Sequence, residues 1–127
     1  MSDLLRGFEI SASGLKAQAL RLRHVSENIA NVDTPGFRRK LTTFEGARDG
    51  SGVVSTGPDR LDQTALPRVF EPGHPLADEN GYYDGSNVNI IVEMADAREA
   101  QRSYEANLRM FDQSRHMARE LLDLLKR

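Results

Sequence analysis

A mainly α fold is predicted by this 127-residue sequence: two long terminal helices forming a coiled coil, with a small irregular β-containing insert between them. Three observations predict it. Apolar residues recur every seven positions at both ends of the chain. All five prolines and most glycines sit in the middle or at its entrance. That middle also carries short β-prone runs between turn signals.

The first segment covers residues 1–36. Phe8, Leu15, Leu22 and Ile29 form a row at seven-residue spacing, with Leu4, Ser11, Gln18 and Val25 beside it and Ala12 and Ala19 thickening the stripe. This is one face of a long helix. The helix is expected to stop at Asn31, because Pro35 disfavours helical geometry at Thr34 and Pro35-Gly36 favours a type II turn.

The insert covers residues 37–87. Val53–Thr56 and Pro67–Phe70 read as two short strands with Gly57-Pro58-Asp59 turning between them, and Asn80-Gly81 marks a further turn. The third segment, residues 88–127, repeats the pattern of the first and completes one helical core with it. Ile90, Ala97, Tyr104, Phe111, Ala118 and Leu125 recur at seven, with Met94, Gln101, Leu108, Arg115 and Leu122 as the companion row. Asn87 or Asn89 is the expected N-cap and Glu93 suits the first turn.

The expected interaction seam is therefore Phe8, Leu15, Leu22 and Ile29 against Ala97, Tyr104, Leu108, Phe111, Leu122 and Leu125. Two helices cannot cover both sides of stripes that also hold Val25, Met110 and Leu121, and uncovered apolar surface marks an interface. Ser11, Gln18, Gln101 and Arg115 are polar residues within the stripes, a choice that costs stability and fixes register.

Composition excludes several function classes. The net charge of −2 gives no reason to expect nucleic acid, and Arg38-Arg39-Lys40 reads as a solvated charged loop. No cysteine is present, so no disulfide or thiolate metal site forms. His24, His74 and His116 are isolated, and Asp78, Asn80, Gly81 and Asp84 lack calcium-loop order. Ser13 and Lys16 have Ser-x-x-Lys spacing without the companion elements that catalysis needs. No enzyme activity, cofactor, metal or small-molecule substrate is expected. Neither a signal peptide nor a membrane span is visible.

Two segments resemble a known family. Ser11 to Gln18, with Ser13, Gly14 and Gln18, followed by Arg21 and by Ser26 to Asn31 with Asn28 and Asn31, resembles the N-terminal signature of flagellar axial rod and hook proteins. Pro72 to Pro75, Asn80-Gly81-Tyr82, Asn87-Val88-Asn89, Glu93-Met94 and Arg102 to Asn107, including Tyr104, resemble the C-terminal half of the FlgC family of flagellar basal-body rod proteins. The compact Asp33–Lys40 stretch looks as much like the FlgB family, which stays open as an alternative with other axial subunits and a soluble coiled-coil adaptor.

The resemblance implies a structural subunit of the proximal rod, polymerised into a hollow drive shaft across the periplasm. Implied partners are further copies, the rod proteins FlgB, FlgF, FliE and FlgG, and the flagellar type III export apparatus, which would export the chain without a cleaved signal. It also places Asn28 and Asn31 in buried contacts between subunits. Tyr104 reads as core, and Arg102 and Asn107 flank the seam.

Overall fold

The computed structural model describes residues 2–127. Helix α1 spans Ser2–Ala30 and helix α2 spans Ile90–Leu125. Between them lie β1 (Lys40–Leu41), β2 (Phe44–Gly46), β3 (Val54–Thr56), β4 (Arg60–Leu61), β5 (Arg68–Phe70) and β6 (Tyr82–Asp84). The protein is thus mainly α with a small middle of short antiparallel strands.

The helix ends follow local chemistry. Asn89 is the N-cap of α2, its side-chain oxygen accepting from the Ile91 and Val92 N–H groups at 3.0 and 3.4 Å. After α1, the Asn31 amide donates to the Glu27 carbonyl at 2.7 Å. Phe37 N–H closes a turn on the Thr34 carbonyl at 3.1 Å, with Gly36 at φ 76°, where a side chain would strain the backbone.

The six strands pair as three separate two-stranded ladders: β1 with β4, β2 with β3, and β5 with β6. Two expected strands are present at β3 and β5, but they do not pair across Gly57-Pro58-Asp59. β3 takes Phe44–Gly46 and β5 takes Tyr82–Asp84. The partners were hidden because β2 and β6 have only three residues each, too short for any alternation, and β2 holds a glycine.

The helices run antiparallel. Gly7 lies against Ser114 and Gly14 against Asn107, Arg21 pairs with Asp96, and Asn28 bonds Glu93. The closest approach therefore follows Gly7, Gly14, Arg21 and Asn28, one residue away from the bulky row that begins at Phe8. Small residues let the axes draw together while larger ones flank the contact. A Cβ at Gly14 would stand 2.5 Å from the Asn107 amide, which itself donates to the Ser103 carbonyl at 2.9 Å. Gly14→Leu should push the helices apart and cost about 1–3 kcal/mol, as overpacking does. Asn107→Ala in the same chain should recover part of that loss in urea unfolding. No recovery would place the strain elsewhere.

Little of the buried interior is apolar. Among the described residues Ala17, Val25 and Ala100 are the buried hydrophobic ones, whereas Ser11, His24, Asn28, Ser86 and Glu93 are buried polar ones. Each finds a partner, since no buried side-chain nitrogen or oxygen among the described residues lacks one. Ser11, one of the polar interruptions, donates to the Gly7 carbonyl within its own helix at 2.8 Å.

Candidate assembly surface and its buried polar node

Glu93, in the first turn of α2, is fully buried at 0% exposure. A buried carboxylate needs a partner that meets its charge and fills its lone pairs. Arg39 supplies one, its Nε donating to Oε1 at 2.6 Å. Asn28 supplies the other, its amide donating to Oε2 at 3.2 Å. Burial works against the Arg39 charge. The hydrogen bonds and opposite charges of Glu93 and Asp62 outweigh it and raise the guanidinium pKa.

Asn28 also clips the insert to α1. Its amide donates to the Lys40 carbonyl at 3.0 Å and its side-chain oxygen accepts from the Lys40 N–H at 2.8 Å, as a paired strand residue would. Asn87 does the same from the other end of the insert. Its oxygen accepts from Arg39 N–H at 2.7 Å, and its amide donates to the Asp62 and Thr64 carbonyls at 2.9 and 3.1 Å. His24 is buried between the Thr42 hydroxyl at 2.6 Å and Asp59 at 3.2 Å. These contacts fasten the insert to one side of the helix pair.

The charged loop is thus not simply solvated. Arg39 reaches the buried Glu93, Lys40 meets Glu27 at 2.7 Å, and Arg38 donates to the Asp62 and Thr64 carbonyls. A run of three basic residues beside no apolar pattern gave no signal of this, because the acid it meets is 54 residues away. Asn28 is likewise not solvated: it is 1% exposed and bonds Lys40 and Glu93 within the chain.

Asp62 extends the node. Its carboxylate accepts from the Thr64 hydroxyl and backbone and from Arg39, and these contacts hold its pKa below the ordinary carboxylate value. A lowered folded-state pKa gives stability that is present above the unfolded value and lost as pH falls through the folded one. Acidification below about pH 4 should therefore weaken the insert. Asp62→Asn should be less stable than the parent at pH 6 and lose less between pH 6 and pH 3 in urea unfolding.

The other expected motif residues are placed as follows. Ser13 donates to the Ile10 carbonyl at 2.7 Å and accepts from Val54 N–H at 3.1 Å, joining α1 to β3. The Gln18 side-chain oxygen accepts from Arg21 at 3.4 Å. Asn31 ends α1 and accepts from the Thr34 hydroxyl at 3.0 Å. Arg102 is exposed and Tyr104 half-buried.

The expected seam lies on the flank away from the insert. The Phe8 and Phe111 rings meet edge to face with centroids 5.2 Å apart. Leu15, Leu22, Tyr104 and Ala97, which follow Phe8 and Phe111 at seven-residue spacing, are half-buried. The insert touches α1 through Ile10, Ser13, His24 and Asn28, which occupy the other side of the helix. Away from them runs Leu5, Phe8, Ala12, Leu15, Ala19, Leu22, Ser26 and Ile29 on α1. On α2 the matching stripe is Ile90, Met94, Ala97, Gln101, Tyr104, Leu108 and Phe111.

None of these fifteen residues is charged, in a chain that is 28% charged. Leu5 is 59% exposed, Met94 49% and Leu108 41%; beyond the stripe, Leu122 is 56% and Leu125 74% exposed. Within the chain this flank is only half covered, which is how an interface looks before its partner arrives.

Among the described residues no group of three or more His, Cys, Asp or Glu side chains is placed to hold a metal ion. No described helix is long and apolar enough to cross a membrane.

Comparison with known proteins places the chain. Residues 8–38 match the family model described as flagella basal body rod protein. Residues 79–124 match the one described as flagellar basal body rod FlgEFG protein C-terminal. The flagellar basal-body rod protein FlgC of Agrobacterium fabrum is 45% identical, covering 99% of this chain and 98% of that one. The chain belongs to the FlgC family of flagellar basal-body rod proteins. FlgC of Aquifex aeolicus is 36% identical over 87% of this chain and 89% of its own length. FlgC of Salmonella typhimurium is 34% identical over 95% and 97%. Since the FlgC matches span both helices and the insert, the terminal stripes and the node lie within the shared length.

Proposed function

We propose that this chain is a structural subunit of the flagellar proximal rod. Its helix pair would work as a coiled-coil element packed against further copies and against other rod proteins, among them FlgB, FlgF, FliE and FlgG. The observation that carries this reading is the uncharged, half-exposed flank formed jointly by α1 and α2, in a chain whose relatives are FlgC rod proteins. The division into a helical core (1–36 with 88–127) and an insert (37–87) gives each part a task. The core assembles, and the insert, clipped on by Asn28, Arg39 and Asn87, lies outside the tube. The chain would reach the periplasm unfolded through the type III export apparatus, without a cleaved signal, and act without catalysis or cofactor.

The test is deletion of the gene followed by electron microscopy of isolated basal bodies, with a complementing copy as control. Rods missing or stopped near the inner-membrane ring, and restored by the complement, are expected. Complete rods and hooks without the chain or any paralogue would refute the reading.

A further inference from the structure

The uncharged flank has a charged border on each helix. On α1, Glu9, Lys16 and Arg23 stand at seven-residue spacing just outside the stripe, and all three are exposed. On α2, Glu105, Asp112 and Arg119 have the same spacing, Glu105 and Arg119 exposed and Asp112 half-buried. Among the described residues, five of these six make no ion pair. Asp112 meets only Arg115, at 3.6 Å on the open helix surface, where such a pair holds weakly.

Read along α1 the signs are negative, positive, positive. Read backwards along α2, from Arg119 through Asp112 to Glu105, they are positive, negative, negative. The rows are therefore complementary when the helices run antiparallel with Glu9 facing Arg119, Lys16 facing Asp112 and Arg23 facing Glu105. One chain cannot make these pairs with itself. Gly14 is level with Asn107, so Lys16 is level with Glu105, and Asp112 lies one heptad further, about 10 Å away at the helical rise. The internal register instead sets Glu9 level with Asp112 and Arg23 level with Arg98, like charges both times, and only Lys16 level with an opposite charge, Glu105.

We propose that a second copy of this chain docks on the uncharged flank, its α1 running antiparallel to α2 of the first copy and staggered by one heptad, with those three ion pairs along the border. The proposal rests on the rod-subunit reading and gives it a face, a direction and a stagger. The contact joins α1 of one copy to α2 of the next, so each copy keeps one unused half. Such a heterologous contact propagates instead of closing into a pair. Apolar stripes supply the attraction, and the border charges choose partner and register, as flanking charges do between packed helices.

Charge exchange in motile cells tests the register. Lys16→Glu should set two acids face to face and cut the number of complete rods per cell by about tenfold, the effect of a modest loss in contact energy. Lys16→Glu with Asp112→Lys should restore rods to within about twofold of the parent. Failure of the double variant to recover would overturn the register. The chain has no cysteine, so Lys16→Cys with Asp112→Cys creates its only thiols. Oxidation of isolated basal bodies should then give disulfide-linked dimers and higher multiples of this chain alone. Cross-linking to a different rod protein would overturn the choice of a second copy. Complete rods containing the variant but giving no cross-link would overturn the docking face and leave the rod reading intact, whereas absence of the parent chain from purified rods would overturn the rod reading itself.

Discussion

Arg39→Ala should lose about 3 kcal/mol or more of folding stability, the scale found when one partner of a buried ion pair is removed. Arg39 is itself partly exposed, with 19% of its side chain open to solvent, but the Glu93 carboxylate it meets is at 0%. The loss falls on Glu93, whose charge would remain in the interior with one amide hydrogen bond from Asn28. At a urea slope of roughly 2 kcal/mol per molar, this moves the unfolding midpoint by more than about 1 M. Glu93→Gln in the Arg39→Ala background should return much of it, because the amide removes the stranded charge and keeps a group of the same shape. Glu93→Gln alone should cost less than Arg39→Ala, since Arg39 can turn toward Asp62 at 3.4 Å and toward water. A midpoint within about 0.3 M of the parent for Arg39→Ala would mean that Glu93 does not depend on Arg39.

The same node explains why the molecule was only partly legible in its sequence. The two helices were readable because a seven-residue apolar period over roughly thirty residues has few other physical meanings. Their ends were readable because Pro35, Gly36 and Asn89 act locally, through backbone geometry and a two-residue hydrogen bond. The ladders of the insert were not. Two- and three-residue strands containing glycine or charge have no period to detect, and their partners are set by how the insert is clipped to α1. The line of closest approach between the helices, one position from the Phe8 row, gave no signal for a related reason. Hydrophobicity points to Phe8 and Leu15, whereas close approach is decided by absence of bulk at Gly7 and Gly14. Glu93 and Arg39 looked like an ordinary first-turn acid and an ordinary basic loop. Only the folded chain brings them within 2.6 Å.

Leu122→Asp should leave the isolated chain about as stable as the parent and still abolish swimming. Leu122 is 56% exposed, so an aspartate there stays hydrated in the monomer, and surface changes of this kind usually move stability by no more than about 0.5 kcal/mol. In the rod the same position would be covered, and an unpaired carboxylate would have to be stripped of water, at a cost of several kcal/mol per contact. Phe111→Asp gives the contrast. Phe111 packs edge to face on Phe8 within one chain, so its loss should lower monomer stability by about 3–5 kcal/mol, the range for deleting a packed phenylalanine, and block assembly as well. Comparing the two variants by urea unfolding and by electron microscopy of basal bodies separates folding from assembly at neighbouring points on α2. Normal rods with Leu122→Asp would remove the C-terminal part of the proposed seam, and normal rods with both variants would remove the seam as the surface on which the rod is built.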